Sequence, residues 1–219
     1  MMAGTISTAV IWLCVAFVFF TSEIQGSTND TCSSAGWSFE QLSAKLKGAE
    51  ECLEVLAGQW ADNQTASILD SLRRLTDILQ KQQKTVCKDA PPAECPAPVA
   101  QSKGGLVCVS TEEKRYCKPM CNEGYDFSFL RRSRIYEECS RANKHKWTTH
   151  YVGGNKLAVC NKSNVQISGA ASAYFPKDQD CLRTKSDIQL ETQVIETFLQ
   201  ELRESGMTGP YSHACLICG

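Results

Sequence analysis

Thirteen cysteines in 219 residues constrain this chain more than any other feature. Four of them, Cys117, Cys121, Cys139 and Cys160, fall within the stretch 115–160, among Gly, Tyr and Trp in short β-like segments. A small domain of that kind uses covalent bonds to supplement a thin hydrophobic core. The length suits one domain or two small ones, and 42% hydrophobic residues exclude a wholly disordered chain. A formal net charge of −1 argues against a generic nucleic-acid binder.

One cysteine, Cys14, sits in the apolar run AVIWLCVAFVFF at 9–20. Its length matches the apolar core of a signal peptide and falls short of the ~20 residues of a membrane span. A signal peptide is therefore predicted over residues 1–26, with the small Gly26 preceding cleavage at Ser27. The residues before the run lack Lys and Arg, so an uncleaved signal anchor is the alternative. Without Cys14, twelve cysteines remain, an even number suited to complete pairing in an oxidising compartment. Three N-x-S/T sequons, at Asn29, Asn63 and Asn161, point the same way and are expected glycosylation sites. No second apolar run has spanning length, and the C-terminal LICG is not a prenylation signal. The expected product is a secreted glycoprotein with no membrane span after cleavage.

Residues 27–87 read as helical. Ser38 can cap a helix with Gln41 completing a capping box, and Trp37 and Leu42 are placed for a hydrophobic staple. Leu42, Leu46, Ala49, Leu53, Leu56 and Trp60 then follow at steps of four and three, one apolar stripe. Gly58 and the polar run 61–65 interrupt it, with Asp62 or Asn63 as candidate caps, and Ile68, Leu72, Leu75 and Leu79 resume it. The pattern fits an antiparallel helical hairpin or an oligomerising coiled-coil stalk. A hairpin would bring Cys32 beside Cys87, which predicts that disulfide. Cys52 would oppose Asp70, so it needs a more distant partner or another chain.

Residues 88–105 (KDAPPAECPAPVAQSKGG) hold four of the seven prolines and read as a linker containing the domain boundary. Beyond it, residues 106–182 read as a disulfide-rich β module. The runs 146–152 and 156–160 around Gly153-Gly154-Asn155 predict a β-hairpin, and 165–167 and 173–175 around Ser168-Gly169 predict a second. In residues 183–219, Ser186 with Gln189 suggests a helix cap, Leu190, Val194, Ile195, Phe198 and Leu202 line one face, and Gly206 ends the helix. The expected fold class is α+β: an N-terminal helical hairpin, a small antiparallel β module and a C-terminal helix with a cysteine-containing tail.

The sequence Cys121-Asn122-Glu123-Gly124-Tyr125, the approach Tyr136-Glu137-Glu138-Cys139, Trp147 before Cys160, and Cys95-Pro96-Ala97-Pro98 together resemble a sushi (complement control protein) module. Such modules are all-β and pair four cysteines first to third and second to fourth. With the frame beginning at Cys95, the resemblance implies Cys95–Cys139 and Cys121–Cys160, leaving Cys108 and Cys117 as an added local pair. It covers under a third of the chain. The interval from Cys139 to Cys160 is long for the family, no proline precedes Cys160, and Cys108 competes as the first cysteine. An independent disulfide-rich β domain is the alternative. The resemblance implies extracellular binding without naming a ligand.

No catalytic constellation emerges. Cys215-Leu216-Ile217-Cys218 is a C-x-x-C, but it lacks the βαβ setting that activates a redox dithiol. His213, Cys215 and Cys218 fall one ligand short of a structural zinc site. Stapling the tail, to Cys181, Cys52 or another chain, is the plainer role. His145, His150 and His213 adjoin no nucleophile motif, and no cofactor motif is found. Charge is informative: residues 108–162 carry eleven Lys and Arg against six acids, hence +5, while the remainder is −6. Arg131, Arg132, Arg134, Lys144, Lys146 and Trp147 form the candidate binding patch, for an extracellular acidic protein or an anionic glycan. The expected role is non-catalytic recognition, with a structural protein forming disulfide-linked homo-oligomers through its N-terminal helices as the alternative.

Overall fold

A computed structural model of the chain describes residues 38–100, 102–149 and 156–219. The predicted signal segment, Asn29, Cys32, Trp37, His150 and the turn at 153–155 lie outside the described residues. The fold class is α+β, and the chain divides into two compact units, residues 1–72 and 73–219.

Helix α1 (Phe39–Leu56) starts on the expected capping box: the Ser38 hydroxyl accepts from the Gln41 N–H, and the Gln41 side chain accepts from the Ser38 N–H. It gives way to a 3₁₀ turn at Ala57–Gln59, and helix α2 spans Asp62–Gln83. Asp62 and Asn63 are the first helical residues rather than caps, and Gln64 instead accepts from the Ala61 N–H. Neither helix contains a buried residue. Leu42, Leu46, Ile68, Leu72, Leu75 and Leu79 of the apolar stripe remain 40–62% exposed.

The second unit is built on a four-stranded antiparallel sheet of order β4-β2-β1-β6. Its strands are β1 (Gly104–Ser110), β2 (Lys114–Cys121), β4 (Glu137–Ser140) and β6 (His213–Cys218). β3 (Tyr125–Phe127) and β5 (Cys160–Lys162) form a separate antiparallel pair. Helix α3 (Cys181–Ser186) and helix α4 (Ile188–Glu204) follow. Asp187, not Ser186, caps α4, because its carboxylate accepts from the N–H groups of Gln189 and Leu190.

Alternate residues of the sheet enter two different cores, as the strand period requires. Leu106, Cys108, Cys117 and Ile217 face one way and pack with Cys87, Cys95, Ala100, Cys139, Trp147 and Leu157. Val107, Val109, Tyr116, Met120 and Leu216 face the other way and pack with Phe175, Phe198 and Leu202. Helix α4 thus covers one face, and the segment following α2 contributes to the cover of the other. The stretch 88–105 is therefore not a linker: Ala90, Cys95 and Ala100 are buried, and Gly104-Gly105 opens the central strand β1. Nor is the C-terminal part separable, since β6 pairs with β1 along its length, Gly105 opposite Cys218 and Cys108 opposite Cys215.

Five disulfides hold this arrangement. Cys95–Cys139, Cys108–Cys117 and Cys121–Cys160 are the pairs that the sushi-like register implies. Cys181–Cys218 staples the tail. The expected Cys32–Cys87 bond is overturned, because Cys87 is buried in the sheet core and bonded to Cys215. Cys52 is also disulfide-bonded. Both predicted hairpins are corrected as well. Residues 146–149 and 156–159 are not strands, and the strand at Cys160 pairs with β3. Ala171–Ala173 is a 3₁₀ turn, with Tyr174 making an isolated parallel bridge to Cys121.

Gly105 is required by close approach. A Cβ there would lie 2.4 Å from Cys181 Sγ and 3.0 Å from the Ile217 carbonyl oxygen. Gly105→Ala should cost about 1–3 kcal/mol by overpacking. Gly48→Ala, on α1 with nothing within 4 Å of the added carbon, should instead stabilise its helix by ~0.5–1 kcal/mol. Urea denaturation with disulfides intact checks both signs.

Candidate functional site

The basic residues of the second unit divide into those that build it and those that face outward. Three cations are almost wholly buried, each held differently, and Nη1 of Arg115 has no hydrogen-bond partner among the described residues. Arg115, 1% exposed on β2, donates through Nη2 to the carbonyls of Ala90 and Pro92 and through Nε to that of Pro91. It pins the segment before β1 to the sheet, and burial pushes its guanidinium below the usual value. Lys118, on the opposite face of β2, pairs with Glu201 of α4 at 2.6 Å and lies over the Phe198 ring. Burial pulls its ammonium down, and Glu201 works against that shift.

The third is Arg131, the first member of the predicted patch. Its guanidinium is buried, pairs with the fully buried Glu137 at 2.6 Å, donates to the Ile135 carbonyl, and lies over the rings of Phe127 and Phe129. A buried charge of this kind is tolerable only when paired. Arg131 is therefore a framework residue, and its placement in a binding patch is corrected. Trp147 is corrected likewise, because it is 5% exposed within the sheet core. Arg134 is half-buried and reaches Glu137 at 3.7 Å.

Arg132, Lys144 and Lys146 remain exposed. Lys144 ends a 3₁₀ turn at Arg141–Asn143 with φ of 59°, and His145 follows at 54°. Two consecutive non-glycine residues in the left-handed region need support from their surroundings. The Ser140 carbonyl accepts from the His145 N–H at 2.9 Å, and the Asn143 amide bonds to the Ser140 N–H and the Glu138 carbonyl. The 133–136 loop and this turn line a common cleft of about 530 Å³ with Arg134, Glu138, Asn143 and Thr148. Asn63 on α2 and Asn161 on β5 are both exposed.

A second centre has no counterpart in the sequence reading. The Asp126 carboxylate, 6% exposed on β3, accepts from the Tyr174 hydroxyl, the Ser168 hydroxyl and the N–H groups of Phe127, Ile167 and Ser168. Desolvation works to raise its pKa, but the bonds from Tyr174, Ser168, Ile167 and Phe127 outweigh it and hold it below the ordinary carboxylate value. The Tyr174 phenol is pushed up to about 12, first by burial and then by its bond to Asp126. Gln166 adds bonds to the carbonyls of Asn122 and Tyr125. The loop 163–169 is thereby tied to β3. The sequence hint was slight: one Asp beside Tyr125 and a Ser-Gly pair some forty residues later.

Cys215 and Cys218, the C-x-x-C pair, are bonded to Cys87 and Cys181. Among the described residues, no group of three or more His, Cys, Asp or Glu side chains is arranged to hold a metal ion.

Because the Asp126 pKa is lowered on folding, its contribution is complete above the ordinary carboxylate pKa near 4. It is lost as the pH falls through the depressed folded value. Asp126→Asn should lower stability at neutral pH by about 1.5–3 kcal/mol, the worth of hydrogen bonds to a charged group. It should also flatten the stability decline between pH 4 and lower pH. Chemical denaturation of both proteins across that range provides the measurement.

No family model, curated protein or solved structure matches the chain.

Proposed function

We propose that this chain is a secreted, non-catalytic recognition protein whose second unit binds an acidic protein or an anionic glycan outside the cell. The disulfide density supports an oxidising compartment. Among the described residues, no helix is long and apolar enough to cross a membrane. The resemblance to sushi modules supports extracellular binding in the same broad sense.

The observation that carries the reading is the division of the cations. Arg115, Lys118 and Arg131 are consumed by the framework, whereas Arg132, Lys144 and Lys146 are exposed and make no ion pair among the described residues. Exposed charges of one sign steer an oppositely charged partner, and salt weakens that attraction. Retention on heparin at physiological salt is expected for the parent chain. Changing Arg132, Lys144 and Lys146 together to Ala should abolish it without altering the melting temperature. Arg131 is left intact, because its removal would strand the buried Glu137. Negligible retention of the parent overturns the glycan form of the proposal.

A specific observation favours self-association as a second reading. On α2, Ile68, Leu69, Leu72, Leu75 and Leu79 form an exposed apolar face, and Asp70, Arg73, Arg74, Asp77 and Lys81 lie on the other side of the helix. Isolated helices of this length draw most of their stability from burying such a face. Ten of the described cysteines form intrachain bonds and Cys52 is bonded too, so such assembly is expected to be non-covalent. Sedimentation should show a dimer or larger species, and non-reducing denaturing gels should show only monomer. The double change Leu72→Asp and Leu75→Asp should return it to monomer in solution, and a monomeric parent removes this reading.

A further inference from the structure

Two loops beside the β3–β5 pair carry large apolar side chains that face outward. Leu130 is 75% exposed, and Val165 and Ile167 are each 59% exposed. The loops are joined directly: the Arg131 N–H donates to the Ser168 carbonyl at 2.6 Å. Leu130 and Ile167 each immediately precede one partner of that bond. That bond sets the backbone carrying Leu130 beside the backbone carrying Ile167, although thirty-five positions of sequence separate Leu130 from Val165.

What lies beneath them is unusually well fixed. One loop is anchored by the buried Arg131–Glu137 pair and the rings of Phe127 and Phe129. The other is anchored by the Asp126 carboxylate, by Gln166, and by the Ser163 hydroxyl donating to the Val165 carbonyl. Gly169 completes the anchor: its N–H donates to the Tyr174 oxygen, and a Cβ there would lie 2.6 Å from the Phe127 ring. With the backbone on both sides tied to buried charges, the apolar side chains have little freedom to fold inward. Side chains held outward by a fixed backbone lose less freedom on binding, which lowers the ordering cost of an interface.

We propose that Leu130, Val165 and Ile167 are the anchor of a docking surface for an acidic segment of a protein partner that packs its own apolar side chains against them. The charge of the rim argues for the acidic partner. Residues 128–134 and 162–168 contain Arg131, Arg132, Arg134 and Lys162 and no acid. Arg131 is neutralised internally, while Arg132 and Lys162 are exposed and make no ion pair among the described residues. The aliphatic anchors argue for a protein over a polyanionic glycan, which has no apolar side chains to pack against them. The inference rests on the recognition reading above and narrows it to one partner class and one surface.

The test uses the full secreted chain with disulfides intact, and random peptides displayed on phage as the probe. The peptides enriched should combine large apolar residues with Asp or Glu, and their binding should weaken as salt rises. Leu130→Ser and Ile167→Ser should each reduce affinity for these peptides at least tenfold, about 1.4 kcal/mol, with the melting temperature unchanged. Failure to enrich any peptide, enrichment without acidic residues, or binding indifferent to both substitutions would each overturn the proposal. Heparin retention measured on the same proteins separates the two levels. If retention still depends on Arg132, Lys144 and Lys146 while peptide binding fails these criteria, the docking surface is wrong and the broader cationic reading stands.

Discussion

The pairing of β1 with β6 is the contact on which the second unit depends. It sets the C-terminal residues 213–218 against residues 104–110, with β2 on the other side of β1. β1 is thus central and buried on both faces, and its register aligns Cys108 with Cys215 and Gly105 with Cys218. The glycines at its start leave room for the sulfurs of Cys181 and Cys160. Two disulfides then close long loops onto this strand pair, Cys87–Cys215 across 128 residues and Cys181–Cys218 across 37. Closing long loops restricts the unfolded chain most. The covalent bonds therefore reinforce an arrangement that a modest sheet and one covering helix would hold less firmly.

Burying both faces of the sheet forces charged residues of β2 into the interior. Arg115 and Lys118 point to opposite faces, and the structure uses each as a clamp, one to backbone carbonyls and one to a carboxylate on α4. Arg131 and Asp126 perform the equivalent task for the loops beside β3. Their shared property is desolvation balanced by directed hydrogen bonds, which makes a partner costly to lose. Along residues 128–134 and 162–168 the surface left over is cationic and locally apolar, whereas Glu94, Glu112 and Glu113 line a cleft with the 140–145 turn. In the proposed recognition role the labour is divided in this way: buried charges hold the shape, and exposed residues meet the partner.

Part of this was legible in the sequence. The capping box of Ser38 and Gln41, the break near Gly58 and the apolar face of α4 are patterns within a few residues, and they appear where the periodicity puts them. The pairs Cys95–Cys139, Cys108–Cys117 and Cys121–Cys160 coincide with those implied by the resemblance. Other features misled for physical reasons. Proline and glycine in 88–105 suggested a free linker, but proline-rich backbone also suits a layer laid over a sheet, with its carbonyls open to Arg115. The run of arginines at 131–134 looked like one surface, yet one of its members points inward to Glu137.

The sequence by itself determined the α+β character, the positions of the helices and the dependence on disulfides. These follow from short-range periodicity, from capping geometry and from the number of cysteines. Only the tertiary structure decided which cations are buried, which cysteine Cys87 meets, and that Arg131 bonds to Ser168 across two loops. Each of those outcomes depends on groups far apart along the chain that the sheet and its crossings bring together. Local residue patterns carry no record of that proximity.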